Sequence, residues 1–184
     1  MVTLTGNNIK LNLRATSIAR LYYRQEFGYD VYDSIRVLLA DDVSYESAAE
    51  DTTKLVWAMN RADNFAAGLS TPDYLQWRYT HRGFDFMDHI GLIMREIAKG
   101  FMVLTGKNDD DKGCDDFVES DDTADVAYLI DAIAVRLGIG PDRMNEYTTQ
   151  AFMDILRIYT ESTASADEDH IRVMTPEDVD NFWR

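Results

Sequence analysis

Residues 15–31, ATSIARLYYRQEFGYDV, are the segment that decides the fold of this chain. They place two arginines among aromatic and aliphatic residues. The apolar positions recur at helical spacing, so the segment is typical of an amphipathic helix. Thr16 or Ser17 can cap its start, and Gly28 is placed to end it in the left-handed conformation. We therefore predict a helix that stops at Gly28 so that Asp30 can start the next one.

The two arginines of this helix are notable because the formal net charge of the chain is -15. Ile18, Leu21 and Tyr22 can face the core. An adjoining stripe at i, i+3, i+4 and i+7 combines both arginines with two aromatic side chains: Arg20, Tyr23, Arg24 and Phe27. The stripe is either a partner interface or a structural surface whose arginines pair with local acids such as Glu26 or Asp30.

The acidity of the chain is concentrated in its second part. Residues 1–105 carry 13 acidic residues against 11 basic ones, whereas residues 106–184 carry 20 against 7. An acidic surface repels phosphates, so nucleic-acid binding is disfavoured. The hydrophobic content of 46% is enough to bury a core, so the chain is globular.

Residues 1–105 are predicted to form a β-hairpin packed on a helical bundle. The opening VTLTGNNIKLNLRA alternates apolar and polar residues around Gly6-Asn7-Asn8, which suits a tight turn. Helical spacing with capping residues and terminal glycines then predicts four further helices: 30–40, 44–67, 71–83 and 85–104. In segment 71–83 we expect Thr71 to cap the helix, with Pro72 at the first helical position.

The rest of the chain divides into an acidic linker and a small helical unit. Residues 106–122, GKNDDDKGCDDFVESDD, hold eight acids and two lysines, and we predict a flexible linker. Residues 123–184 are predicted to form a small all-α C-terminal domain. Its expected helices are one closed by Gly138, one capped by Thr148 and one starting at Thr175. The fold class is thus mainly α.

The sequence contains few patterns typical of catalytic or metal-binding sites. The linker offers a partial calcium-loop match from Asn108 to Glu119, but Asn108 replaces the usual aspartate and Lys112 occupies a ligand position. His81, His89 and His170 do not have the spacing of a helical metal site, and Cys114 is flanked by aspartates. Asp131 stands out within an apolar stripe, although it could sit on the polar edge of its helix. We predict no enzyme activity, no metal and no cofactor.

Aromatic residues crowd the first half of the chain, and most belong to the core. Some of them, with nearby arginines, form a candidate partner-binding surface, because Tyr, Trp and Arg dominate binding hot spots. The candidates are Arg20, Tyr23, Arg24, Phe27, Trp57, Trp77 and Arg78. There is no run of apolar residues long enough to span a membrane and no signal-peptide pattern at the start, so a cytoplasmic protein is expected.

The segment from Ala15 to Asp30 resembles the opening of tail assembly chaperones from long-tailed phages and prophages of Gram-positive bacteria. The resemblance rests on an Ala-Thr start followed by Tyr-Arg, Phe-Gly and Asp: Ala15, Thr16, Tyr23, Arg24, Phe27, Gly28 and Asp30. The segments LVWAMNRAD (55–63) and DYLQWRYTHRGFDFMDHIGLIM (73–94) are similar to later helices of that family. The resemblance covers about residues 9–100 and is a pattern of hydrophobic and aromatic positions.

The second part also resembles that family in its organisation. Segment 136–156, RLGIGPDRMNEYTTQAFMDIL, looks like the C-terminal extension that such chaperones gain through a programmed ribosomal frameshift. The hypothesis predicts an A-rich slippery heptamer at the codons of Gly106-Lys107-Asn108, which the nucleotide sequence would test.

The resemblance implies a noncatalytic role in the host bacterial cytoplasm. Such a chaperone coats the helical tape-measure protein, recruits tail-tube proteins and is absent from the mature virion. It implies no nucleic-acid or membrane partner and is compatible with a homo-oligomer. The alternatives are a structural or adaptor protein of the phage tail, which would be found in purified particles, and an acidic DNA mimic, against which the nearly neutral first half argues.

Overall fold

The computed structural model of the chain describes residues 1–40, 42–102, 123–140 and 142–163. Over these residues a two-stranded antiparallel hairpin is followed by seven α-helices. The strands are β1 (Val2–Gly6) and β2 (Ile9–Leu13). The helices are α1 (Ser17–Phe27), α2 (Val31–Leu39), α3 (Tyr45–Ala66), α4 (Tyr74–Thr80), α5 (Ile90–Gly100), α6 (Thr123–Arg136) and α7 (Thr149–Thr163). The predicted fold, mainly α with an N-terminal hairpin packed on helices, is confirmed.

The hairpin has the tight turn that its sequence predicts. Asn7 and Asn8 both adopt positive φ, at 48° and 61°, which matches the right-handed twist of the strands. Leu4 pairs with Leu11 across the ladder, and the two side chains are buried together on the helical face. The hairpin is therefore held by the helices under it rather than by its own two strands.

Helix α1 ends as predicted, and the next helix starts at once. Gly28 adopts φ 79°, and its amide donates to the carbonyl of Arg24 at 2.9 Å. Asp30 and Asp33 then form a capping box at the start of α2. Thr16 occupies the N-cap position of α1, but its side chain makes no capping bond.

Helix α3 is the central element of the fold. It packs against α1, α2, β2 and α4. Its buried side chains include Leu55, Trp57 and Met59, which are completely enclosed. Ser44 caps its first turn by accepting from the Ser47 amide at 3.2 Å. The other elements are arranged around this helix, so it positions the surfaces described below.

The structure corrects the boundaries of two predicted helices. Asp73, rather than Thr71, caps α4. The Thr71 hydroxyl instead accepts from the side-chain Nδ2 of Asn64 at 2.8 Å. The helix expected from Asp85 begins with a 3-10 turn at Met87–His89, and its α-helical part starts only at Ile90. The Asp85 carboxylate accepts from the Met87 amide at 2.9 Å and so fixes this turn.

The described helices beyond residue 122 share the core of the first part. Ile130, Ala134, Met144 and Phe152 are fully buried and belong to the same apolar cluster as the hairpin and α3. Gly138 ends α6 with φ 64°, and Thr148 caps α7 by accepting from the Ala151 amide. These helix ends agree with the sequence.

Several sequence predictions fall outside the described residues. They are the acidic linker at 106–122, the calcium-loop match at 108–119, Cys114, His170 and the helix start at Thr175. The proposed division into domains at 1–105, 106–122 and 123–184 therefore stays a prediction.

Candidate functional site

The arginine stripe of α1 is an ion cluster inside the protein. Arg20 Nη1 donates to Asp30 Oδ2 at 2.9 Å, and Arg20 Nη2 donates to Asp131 Oδ1. Arg24 Nη1 donates to Asp131 Oδ2 at 2.8 Å. Asp131, which α6 contributes, thus holds both arginines, and the predicted pairing with the local acid Asp30 is confirmed for Arg20. Glu26, the other local acid considered, accepts instead from the Tyr74 amide at 3.0 Å.

Burial removes the charged side chains of this ion cluster from water, which disfavours their charged forms. The exposed fraction of Arg20 is 1% and that of Asp131 is 0%. Burial alone would lower the pKa of Arg20, but the facing carboxylates of Asp131 and Asp30 raise it above its ordinary value. Burial raises the pKa of Asp30, although Arg20 opposes the shift. Removing one partner from such a buried pair typically costs about 3–5 kcal/mol, so the cluster has a structural role in this conformation.

One packed aromatic cluster consists of Tyr23, Phe27, Tyr29, Trp57 and Tyr74. Phe27 is its centre, with ring centroids 4.6 Å from Tyr23, 5.6 Å from Trp57 and 4.9 Å from Tyr74. The Trp57 indole N–H donates to the carbonyl of Pro72 at 3.2 Å, which ties the cluster to the segment before α4. Edge-to-face contacts of this kind add about 0.5–1.5 kcal/mol per pair to the burial of the rings.

A buried polar chain crosses the same region. The hydroxyls of Tyr23 and Ser34 lie 2.6 Å apart, and Ser34 donates to Asp51 Oδ1 at 2.9 Å. Burial raises the pKa of Tyr23, so its phenol stays protonated at neutral pH. These hydrogen bonds link α1, α2 and α3 through Tyr23, Ser34 and Asp51.

A different surface, on α4, is open to solvent. Tyr74 and Trp77 turn inward from this helix and are buried, whereas Leu75 and Tyr79 are 74% and 68% exposed. Leu75 and Tyr79 are four residues apart, so they lie on one face of the helix. The inward anchors hold α4 in place, and this fixes the position of the outward pair.

Two arginines border the exposed apolar pair. Arg78 Nη2 lies 2.9 Å from Glu50 Oε2, and the Arg82 guanidinium lies 4.7 Å from the centre of the Tyr79 ring. Both arginines are exposed. We call Leu75, Arg78, Tyr79 and Arg82 the α4 surface. It combines apolar, aromatic and cationic groups, the types that carry most binding energy at protein interfaces.

A cavity of about 330 Å³ opens beside the α4 surface. Its lining includes Thr53, Arg78, His81, Arg82 and Phe86. His81 Nδ1 lies 2.7 Å from the carbonyl oxygen of Trp77 and donates to it, since a carbonyl oxygen only accepts. The cavity thus joins cationic and apolar walls and continues the character of the α4 surface.

The seven predicted partner-binding residues fall into three groups by exposure. Arg20, Tyr23, Trp57 and Trp77 are buried, and their role in partner binding stays a prediction. Arg24 and Phe27 are half-buried, and only Arg78 is exposed. The four buried side chains are occupied by the ion cluster and the aromatic core, and these contacts leave no surface on them for a partner in this conformation.

Sequence reasoning missed Leu75 as a candidate for partner binding. The available signal was that α4 has large apolar or aromatic side chains on both sides of a seven-residue helix: Tyr74, Leu75, Trp77 and Tyr79. Only one side of a surface helix can face the core, so the other side must be exposed or covered by a partner.

The described residues offer no metal centre and no membrane span. Among them, no group of three or more His, Cys, Asp or Glu side chains is arranged to hold a metal ion. Within the same ranges, no helix has the length and apolar character needed to cross a membrane. In comparisons of the whole chain, no family model, curated protein or solved structure matches it.

Proposed function

We propose that this chain is a phage tail assembly chaperone that binds and solubilises the tape-measure protein. The observation that carries the proposal is the α4 surface, where Leu75 and Tyr79 are exposed on the same short helix as Arg78, with Arg82 just beyond its end. This surface lies in segment 73–94, one of the stretches that resemble the chaperone family. The role is noncatalytic and needs no cofactor.

The chemistry of the α4 surface fits an amphipathic helix. Leu75 and Tyr79 supply an apolar strip about one helical turn long, against which the apolar face of a partner helix can pack. Arg78 and Arg82 can pair with carboxylates that border such a face. A tape-measure protein is long and largely helical, so it offers many segments of this kind.

The charge of the chain suits the same role. A net charge of -15 keeps a complex of chaperone and apolar helices dispersed, because like-charged complexes repel one another. Since a chaperone must later release its cargo, contacts limited to a small exposed surface are an advantage. We propose that tail-tube proteins displace it as they polymerise on the tape-measure protein, so that it acts in the host bacterial cytoplasm and is absent from the virion.

The proposal predicts a tape-measure reading frame next to this gene, and co-expression with its product tests the proposal. The wild-type chain should keep that protein in the soluble fraction and co-purify with it. The double variant Leu75→Ser/Tyr79→Ser should lower the recovered complex by at least about tenfold, the equivalent of about 1.4 kcal/mol of binding free energy. Leu39→Ser is the matched control, because Leu39 is an exposed leucine on α2, away from this surface.

Two results would contradict the proposal. One is that the tape-measure protein aggregates equally with and without the wild-type chain. The other is that the chain is found at stoichiometric levels in purified particles, which would favour a structural or adaptor protein of the tail. Thermal unfolding of each variant shows whether a lost complex reflects lost folding instead.

A further inference from the structure

Helix α6 contributes one buried carboxylate to the ion cluster, in addition to apolar side chains in the shared core. Both oxygens of Asp131 contact arginines of α1, Oδ1 with Arg20 and Oδ2 with Arg24 at 2.8 Å. On the same helix Ile130 and Ala134 are fully buried beside Asp131. Helix α6 therefore presents an acid in the middle of an apolar stripe, and α1 supplies two cations that receive it.

Hydrogen bonds also join α1 and α2 to the residues that follow α6. Thr16 Oγ1 donates to Asn145 Oδ1 at 3.0 Å, and the Ser17 amide donates to the carbonyl of Tyr147 at 2.9 Å. The hydroxyls of Tyr32 and Thr149 lie 2.9 Å apart. These hydrogen bonds accompany the apolar cluster that α6 and the residues after it share with α1 and α2.

The ion cluster also holds polar atoms that α6 does not match. Arg20 Nε and Asp30 Oδ1 are buried and have no hydrogen-bond partner among the described residues. Each unmatched buried group costs free energy, about 1–3 kcal/mol, so the closed arrangement is less favourable than a fully matched one. Exchanging α6 for another helix therefore costs less than removing a helix from a fully satisfied core.

We propose that Arg20 and Arg24, with the adjoining faces of α1 and α2, form a docking site for an amphipathic helix that carries Asp or Glu within its apolar stripe. Helix α6 occupies this site within the chain, and an acid-bearing helix of a partner protein replaces it. Charge complementarity supports this occupant: without Asp131, two arginines face the single carboxylate of Asp30, and one further carboxylate balances them. The site is distinct from the α4 surface, so the proposal does not depend on the function proposed above.

A labelled synthetic peptide of residues 123–163 serves as the probe, with the full chain as receptor. The wild-type chain should bind it weakly, because its own α6 competes. An Asp131→Asn chain should bind it at least about tenfold more tightly, since its internal competitor has lost the charge. Asp154→Asn is the matched control, because Asp154 is a more exposed carboxylate on α7, and this chain should bind like the wild type.

A second peptide tests whether the site recognises the carboxylate. The same peptide with Asp131→Asn should bind the Asp131→Asn chain at least about tenfold more weakly than the wild-type peptide does. Equal affinities of the two peptides would overturn the proposal, as would an Asp131→Asn chain that binds no better than the wild type. A wild-type dimer in sedimentation that Asp131→Asn abolishes would also overturn it, because the occupant would then be a second copy of this chain.

Hydrogen exchange of the unmodified chain gives an independent measurement. Amides of α6 should exchange through local opening, at a lower free energy than those of α3, because α6 must leave its site while the core stays folded. Amides of α6 that exchange only with global unfolding would overturn the proposal, whether or not the variants fold.

Discussion

Arg20 illustrates how a single residue constrains this fold. Its guanidinium is enclosed, and the carboxylates of Asp30 and Asp131 stabilise the charge that burial would otherwise disfavour. Since neither carboxylate alone matches all its donors, the position of α1 is tied to two segments of the chain at once. A buried cation of this kind specifies one arrangement of helices, because other arrangements leave it unpaired.

Gly100 is a second residue whose identity the packing dictates. A Cβ added there would overlap the carbonyl oxygen and the side chain of Ala15. Gly100→Ala should therefore lower the free energy of unfolding by about 1–3 kcal/mol, the usual cost of overpacking, as measured by urea denaturation. Gly91→Ala on the same helix is the control: a Cβ there meets nothing within 4 Å, so stability should be unchanged or slightly higher. Similar losses at both positions would contradict this explanation.

At the residue scale, the sequence predicted local pairs and not distant ones. The pairing of Arg20 with Asp30 follows from a separation of ten residues. Asp131 could be recognised as unusual within its apolar stripe, but periodicity shows only the face of a helix and not what packs against it. The sequence also did not separate buried Trp57 and Trp77 from exposed Arg78, because tertiary packing decides which faces of α3 and α4 are covered.

Helix ends are the elements that the sequence predicted best. Gly28, Gly68 and Gly138 all adopt positive φ, as terminal glycines do, and each follows a predicted helix. The start of α4 was less predictable, because Thr71 and Asp73 flank Pro72 and both are good capping residues. Asp73 is the cap, because the Thr71 hydroxyl accepts a hydrogen bond from the side chain of Asn64. This contact depends on the position of the end of α3.

The stability of α4 should depend on its cap. The Asp73 carboxylate accepts from the backbone amide of Gln76 at 2.9 Å. Because α4 has only seven residues, this bond is a large part of the hydrogen bonding that holds the helix together. Asp73→Ala should lower the free energy of unfolding by about 1 kcal/mol, whereas Asp73→Asn, which keeps a capping oxygen, should cost little. Chemical denaturation of both variants provides the comparison. Equal losses would mean that the charge near the helix start matters more than the cap.

On the scale of the whole molecule, one apolar cluster runs from the hairpin to α7. The sequence predicted its main contributors in each helix, because helical periodicity identifies buried faces. It did not predict that the helices beyond residue 122 would share this core, since the charge contrast between the two parts suggested separate units. A shared core arises from long-range contacts such as Tyr32 with Thr149, which no local pattern encodes.

Because tyrosines are buried throughout this shared core, alkaline pH should destabilise the whole fold. Burial raises the pKa of Tyr22, Tyr23 and Tyr74, and it raises the pKa of Tyr32 to about 12. Above about pH 10 the phenols of the unfolded chain lose protons that the folded chain retains. The unfolded state then binds fewer protons, so the free energy of unfolding falls as pH rises.

Replacing Tyr32 measures its share of this effect. Tyr32→Phe removes the hydroxyl contact with Thr149 and should cost about 1 kcal/mol at pH 8. Between pH 10 and about 12 it should make the decline in unfolding free energy shallower by up to about 1.4 kcal/mol per pH unit, because one phenol no longer ionises in the unfolded chain. Urea denaturation at several pH values gives both quantities, with Tyr79→Phe, which removes an exposed hydroxyl, as the control. If the unfolding free energy of Tyr32→Phe declined as steeply as that of the wild type, the Tyr32 phenol would ionise equally in the folded and the unfolded chain. The burial of Tyr32 would then not contribute to the loss of stability at alkaline pH.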